Sequence, residues 1–282
     1  MIAINENLRN KIAVITGGGG ILCGAMAKEL ARHGVKSALL NRSYDKAKAV
    51  EEEITSAGGT AAAIACDVLD ENSVKNARQT VMDVFGKCDI LINCAGGNHP
   101  DGTTTGEIFS MEDMENPDAT SFFDLTVEGY KAVFDLNFIG TFIPTQVFAR
   151  DMIGRKGSCI INISSMSASR PMTRVPAYST AKAAINNFTQ WLAVHFAEAG
   201  IRVNAIEPGF YLTQQNRNLL FNSDGSPTKR SEKIIAHTPM RRFGSPDDLL
   251  GTVIWLADSN MSGFITGAII PVDGGFMSYS GV

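Results

Sequence analysis

Cysteine is sparse in this chain: Cys23, Cys66, Cys88, Cys94 and Cys159 include no CxxC motif. That removes the usual zinc-ribbon and thioredoxin-type signatures, and no metal-ligating set is read. Four of the five lie in or beside expected strands, where a small buried thiol is the expectation. Charge of one sign is also lacking. The formal net charge of −4 leaves no basic footprint for nucleic acid. No apolar run approaches the ~18 residues of a membrane span, and no signal peptide is read, so a reducing cytoplasm without membrane attachment is expected. No internal repeat, low-complexity tract, or Pro/Ser-rich or charged linker divides the 282 residues. One domain over residues 1–282 is therefore expected. What the chain does have is apolar content, 44% of residues, ample for a single large core.

Apolar strands alternate with helical periodicity. Lys11–Thr16 reads as a strand running into glycines, and Leu22–His33 as a helix stopped by Gly34. Strands follow at Lys36–Asn41, Thr60–Cys66 and Asp89–Asn93, separated by helices at Asp45–Ala57 and Glu71–Phe85. Then come a helix around Val127–Met152, a strand Cys159–Ser164, a helix Ala177–Ala199, a strand Ile201–Ile206, a helix Asp247–Ala257 and a last strand Ala268–Val272. Such alternation predicts an α/β fold: one doubly wound parallel sheet of about seven strands with helices on both faces. Two polar segments interrupt it. Residues 97–126 form a connection too long for a compact domain unless functional, and residues 210–239 read as a second irregular segment, placed to act as a lid.

The densest chemistry lies in Tyr178-Ser-Thr-Ala-Lys182. Residues four apart share a helix face, so the Lys182 ammonium is expected beside the Tyr178 phenol. A nearby cation favours the phenolate and should lower a pKa near 10 toward neutrality. Ser165 ends the apolar run Cys159–Ser164, where its hydroxyl can hold a substrate oxygen against the phenol. These three suit proton transfer to or from an alcohol or carbonyl oxygen.

Thr16-Gly17-Gly18-Gly19-Gly20 joins the first strand to the first helix. Glycines there let backbone approach a pyrophosphate, and the helix N-terminus supplies N–H groups. The ordered set of this turn, Asp67-Val68, Asn93-Cys94-Ala95-Gly96, Asn137, Ser165, Tyr178, Lys182 and Pro208-Gly209 resembles the short-chain dehydrogenase/reductase family over nearly the whole chain. The resemblance implies a Rossmann-type domain that binds NAD(P) and an enzyme acting on a CH–OH group. It makes Tyr178 the general acid/base, has Lys182 tune it and bind the nicotinamide ribose, has Ser165 stabilise the substrate oxygen, and has Asn137 position a proton-relaying water. It also implies coenzyme contacts from Thr16, Gly17, Gly18, Gly19, Gly20, Leu22, Asn41, Arg42, Asp67, Val68, Asn93, Ala95, Gly96, Pro208, Gly209 and Thr213, and a homotetramer.

The family's glycine spacing departs at Ile21 and Cys23, where Gly20 and Gly24 lie one residue to either side. The second strand ends in Asn41-Arg42 rather than an acidic residue. A cation there suits a 2′-phosphate, so NADP(H) is favoured over NAD(H).

For the substrate, His99 in the inserted segment, Arg170 and Arg174 between Ser165 and Tyr178, and Gln214 after Thr213 are the candidate contacts. Arginine pairs with a carboxylate in two-point fashion. The stretches Leu22-Cys23-Gly24, Asn98-His99-Pro100, Thr189–Phe196 and Gly274–Val282 are similar to bacterial D-mannonate oxidoreductases (fructuronate reductases) of the short-chain type. A sugar acid is the expected small-molecule substrate. Gluconate or 2-deoxygluconate dehydrogenase and 3-oxoacyl carrier-protein reductase stay open, as does a nucleotide-sensing regulator on the same fold.

Overall fold

A computed structural model describes residues 2–213 and 216–281. Seven strands form one parallel sheet: β1 Ile12–Thr16, β2 Lys36–Asn41, β3 Thr60–Ala65, β4 Ile90–Asn93, β5 Cys159–Ile163, β6 Arg202–Pro208 and β7 Ile269–Val272. Their order is β3-β2-β1-β4-β5-β6-β7. The order reverses at β1, flanked by β2 and β4 with Val14 opposite Ala38 and Leu91. Ligands of doubly wound sheets bind at such a switch, beyond the carboxyl ends of the strands.

The helices are α1 Ile21–Arg32, α2 Tyr44–Ser56, α3 Glu71–Val84, α4 Val127–Phe134, α5 Gly140–Met152, α6 Met166–Ser169, α7 Pro176–His195, α8 Arg217–Leu220, α9 Lys229–His237, α10 Asp247–Ala257 and α11 Ser259–Ser262. One face of the sheet packs Met26, Leu30, Val50 and Ile54 of α1 and α2 with Leu249 and Val253 of α10. The other packs Val74 and Val81 of α3, Phe148 and Met152 of α5, and Leu192 of α7. β1, β4, β5 and β6 are buried throughout, which explains the near-continuous apolar sequences of the first three, while β6 buries Arg202, Asn204 and Glu207 as well.

Two details differ from expectation. A π-helical turn, Asp135–Ile139, joins α4 to α5 and carries Asn137. The composite helix Val127–Met152 is apolar and long enough to cross a bilayer by composition, although half of its most apolar stretch is buried in the fold. The segment 210–239 is also not irregular, since it holds α8 and α9. Thr228 caps α9 by accepting from the Ser231 N–H at 3.3 Å, and Ser231 and Ile234 are its buried face. Only one short stripe of this nine-residue helix is buried, too little to show as periodicity.

The two sheet edges are treated differently. On β3, the Glu51 carboxylate of α2 accepts from the Ala63 N–H at 3.0 Å. On β7, Pro271 lies opposite Glu207.

Candidate active site

Ser165 follows β5 and caps α6, its Oγ accepting from the backbone N–H of Ser167 at 3.2 Å and from the Ser167 hydroxyl at 3.0 Å. Pro176, at the first position of α7, fixes the helix start two residues before Tyr178. Tyr178 and Lys182 are then one turn apart, with the Lys182 Nζ 5.5 Å from the phenol ring centre. Lys182 is 4% exposed and donates to the Ile163 carbonyl at 2.8 Å. Asn137, fully buried, donates from Nδ2 to Gly97 O at 2.7 Å and Val133 O at 2.8 Å, while its Oδ1 accepts from the Gly97 N–H at 3.3 Å. A Cβ on Gly96 would lie 2.6 Å from Asn137 Oδ1 and 3.4 Å from Lys182 Nζ. The four expected catalytic residues are therefore gathered around the carboxyl ends of β4 and β5.

The electrostatics correct one expectation. Lys182 does not by itself bring the phenol toward neutrality. Burial raises the Tyr178 pKa, and the Ser165 hydroxyl, which reaches the phenol, acts in the opposite direction. Burial also lowers the Lys182 pKa to about 8. Desolvation disfavours both charged forms, so the protein alone holds a protonated phenol ready to donate.

On the coenzyme side, Gly17 adopts φ +66°, and a Cβ there would sit 3.1 Å from the Ala95 backbone. The Thr16 hydroxyl accepts from the N–H groups of Cys94 at 3.0 Å and Ala95 at 3.1 Å, joining the glycine turn to the end of β4. Gly20 is the N-cap of α1 and offers no side-chain cap. The first N–H groups around Leu22 are thus left for an anion. Gly18 and Gly19 are held against Leu39 and Lys46, where a Cβ would come within 3.0 Å and 2.7 Å respectively. This bare, close-packed turn fits a dinucleotide.

The remaining coenzyme candidates divide. Asn41 spends its amide on the Ser43 carbonyl at 2.8 Å, whereas Arg42 is exposed and makes no side-chain bond among the described residues. Asp67 forms a turn by accepting from the Leu69 N–H at 2.9 Å, and Val68 packs under Gly140. Asn93 faces inward, donating to Thr145 and Asn162 at 2.9 Å each, which leaves its backbone at the cleft. Gly209 lies so close to Asp273 that a Cβ would be 2.6 Å from its Cα, an approach that holds Pro208-Gly209 at the carboxyl end of β6. The Thr213 N–H donates to Asn216 Oδ1 at 2.8 Å.

The substrate candidates separate more sharply. Arg170 lines a pocket of about 320 Å³ together with Met172, Phe210, Arg230, Lys233 and Phe276. Arg174 instead adopts φ +73° and donates from Nε to the Thr104 carbonyl at 2.9 Å. The Thr104 N–H donates back to the Arg174 carbonyl at 2.9 Å, so this arginine pins the inserted segment. His99 accepts from the Asp101 N–H at 3.3 Å and caps a short 3-10 turn. Gln214 lies outside the described residues.

Sequence reading missed Arg230 and Lys233 because α9 was not anticipated. Lys233 pairs with Glu107 of the inserted segment, and Arg230 adds to the positive field on Glu107 while making no side-chain hydrogen bond or ion pair among the described residues. Glu207 was also missed. It is 1% exposed and accepts from Ser169 at 2.8 Å and Asn186 at 2.7 Å, tying the helix after Ser165 to α7. A carboxylate directly after the apolar pair Ala205-Ile206 of a central strand was the available signal. The expectation of a free buried thiol fails at Cys94, which forms a disulfide with Cys23 of α1. Cys66, Cys88 and Cys159 are free and buried.

Comparison with known proteins agrees with this geometry. The family described as Enoyl-(Acyl carrier protein) reductase matches residues 22–277. The uncharacterized oxidoreductase UxuB of Bacillus subtilis (strain 168) is 59% identical over 282 residues, covering 100% of both chains. A 3-oxoacyl-[acyl-carrier-protein] reductase of Synechocystis is 30% identical, over 96% of this chain and 99% of that one. A crystal structure from Haemophilus influenzae, provisionally named a D-mannonate oxidoreductase and holding NAD, superposes with a TM-score of 0.96 at 51% identity, covering 100% of each chain. With the serine, tyrosine and lysine gathered beside a bare glycine turn, the chain belongs to the short-chain dehydrogenase/reductase family and is one of its nicotinamide-dependent oxidoreductases.

Proposed function

We propose that this enzyme interconverts a secondary alcohol and a ketone on a sugar acid, with D-mannonate and D-fructuronate as the pair. The observation that carries the reading is the pocket beside the Ser165–Arg170 segment, where Arg170, Arg230, Lys233 and His237 face a single carboxylate, Glu107. The excess of basic groups over carboxylates attracts an anionic substrate, and Met172, Phe210 and Phe276 offer apolar contact to its carbon frame. The NAD-bound relative from Haemophilus influenzae supports the same reading by its name.

In this reading Arg170 and Arg230 hold the carboxylate, and Ser165 receives the reacting oxygen. Tyr178 delivers the proton to it, or removes it in the oxidative direction. Lys182 holds the nicotinamide ribose with the ammonium protons not spent on Ile163. Asn137 keeps Gly96 and Gly97 in place below the nicotinamide and borders the space beside Lys182 in which a relaying water would sit. The nicotinamide supplies or accepts the hydride. The NAD in the relative supports NAD(H) use, and the unpartnered Arg42 supports acceptance of NADP(H). Domain organisation is part of the proposal: one coenzyme-binding domain over residues 1–282, with 97–126 and 210–239 closing over the substrate. So are a cytoplasmic location and a homotetramer. The exposed apolar stripe of Phe142, Trp191 and Val194 on α5 and α7 is the proposed contact between copies.

Turnover of a panel of hexonates and keto-hexonates with each coenzyme, beside an acetoacetyl thioester, tests the substrate class. Preference for the thioester would transfer the assignment to 3-oxoacyl reduction. Arg170→Ala and Arg230→Ala should each raise KM for the acid about 10- to 100-fold, the scale of a lost charge-assisted hydrogen bond, with kcat largely kept. Unchanged KM in both variants and in the double variant would remove the carboxylate from this pocket.

A further inference from the structure

Cys23 lies in the first turn of α1, 7% exposed, at a position where the family's spacing expects glycine. Cys94 follows β4 in the Asn93–Gly96 run that passes beneath the coenzyme cleft. The two are 71 residues apart in sequence, their Cα atoms are 6.2 Å apart, and they are joined as a disulfide. That bond crosses the same junction at which Thr16 receives the Cys94 and Ala95 N–H groups and Gly17 presses on Ala95. It therefore fastens the pyrophosphate turn to the strand end that lies under the nicotinamide.

We propose that Cys23 and Cys94 form a reversible dithiol–disulfide modification site that sets the affinity of this coenzyme cleft. The disulfide holds the turn in its binding geometry in place of the missing glycine pattern. When it is reduced, two unbonded sulfurs need van der Waals separation of about 3.5–4 Å. The first turn of α1 and the end of β4 must then loosen, and binding has to reorder them.

The oxidant is hydrogen peroxide. Cys94 is the more exposed of the pair and reacts first, its thiolate attacking one peroxide oxygen to give a sulfenic acid and water. The Cys23 thiolate then displaces the hydroxyl from that sulfur, closing the S–S bond and releasing a second water. Two thiols have lost two electrons and two protons, and the peroxide has been reduced to two waters. A dithiol reductant reverses the step by thiol–disulfide exchange. The other three cysteines do not compete: burial raises the thiol pKa of Cys66 and of Cys159 to about 11, and that of Cys88 well above its ordinary value.

The test uses the full-length protein, treated with hydrogen peroxide or with dithiothreitol, followed by thiol alkylation, non-reducing peptide mapping and titration calorimetry with NAD+. Oxidation should give a Cys23–Cys94 linked peptide while Cys66, Cys88 and Cys159 stay alkylatable. Reduction should weaken NAD+ binding about fivefold, the scale of losing one preorganised contact. Cys23→Ser/Cys94→Ser should bind like the reduced enzyme under both treatments, and Cys88→Ser should keep the wild-type response. Equal dissociation constants in the two states, absence of the linked peptide, or a redox response that persists in the double serine variant would each overturn the proposal. No step of the test depends on which substrate the enzyme uses.

Discussion

Lys182→Met should make the coenzyme-free protein more stable near neutral pH while disabling it. The wild-type ammonium is buried, and its pKa falls from 10.5 to about 8. At 1.36 kcal/mol per unit, that is a penalty of roughly 3 kcal/mol for burying the charge. The folded pKa lies below the unfolded one. Between about pH 8 and 10.5 the unfolded chain therefore holds the extra proton, and wild-type stability rises with pH through that window. Below about pH 8 the full penalty is present. Methionine fills similar volume without the charge but leaves the Ile163 carbonyl without its 2.8 Å donor, a cost of about 1–3 kcal/mol. The net is a gain of about 1 kcal/mol at pH 7, turning into a deficit above about pH 9. Converted at about 2–4 °C per kcal/mol, the difference in Tm between variant and wild type should swing by roughly 5–10 °C. Differential scanning calorimetry of both proteins at pH 7, 8, 9 and 10 reads this directly, since the remaining lysines are common to both. Parallel Tm curves, or a variant already markedly less stable at pH 7, would refute the reasoning.

Three further outcomes are expected. Tyr178→Phe should lower turnover by at least about 10²-fold with NAD+ binding retained, because the phenol acts on the proton and not on the dinucleotide; steady-state kinetics with coenzyme titration checks this. Arg42→Ala should weaken NADPH at least about tenfold more than NADH, the scale of one charge-assisted phosphate contact, and dissociation constants for both coenzymes decide it. Trp191→Arg, placing a charge in the exposed apolar stripe of α7, should shift the proposed tetramer to smaller species in light scattering; a wild-type monomer would remove the assembly proposal itself.

The strands and the catalytic set were legible because each is written locally. Lys36–Asn41 and Asp247–Ala257 have the expected bounds, and the other strand limits differ by one or two residues. Tyr178, Lys182 and Ser165 meet because a four-residue helical step and a strand end are fixed by sequence spacing alone. What was not legible depends on contacts between distant segments. The Cys23–Cys94 bond needs α1 and β4 to meet at a junction closed by Thr16 and Gly17. Of the two arginine candidates sequence favours Arg174 slightly, for its place nearer the Tyr178 helix, and only the backbone of Thr104 shows it to be a latch and Arg170 the pocket wall. The pKa directions of Tyr178 and Lys182 were masked for a related reason: pair spacing carries the Coulomb attraction, but the larger desolvation cost comes from residues that spacing does not reveal.

The two margins of the sheet bear on how crowded copies of this protein avoid one another. An open strand edge is a template for any extended chain that passes, including a second copy caught half-folded. Here neither margin is left bare. At β3 the Ala63 N–H is already claimed by Glu51, so an incoming strand must displace a carboxylate and then face its charge. At β7, Pro271 has no N–H to offer, which leaves a gap in the ladder a newcomer could build. The seven-stranded sheet is closed chemically without being closed geometrically, and copies are directed to meet through side-chain surfaces instead of shared backbone.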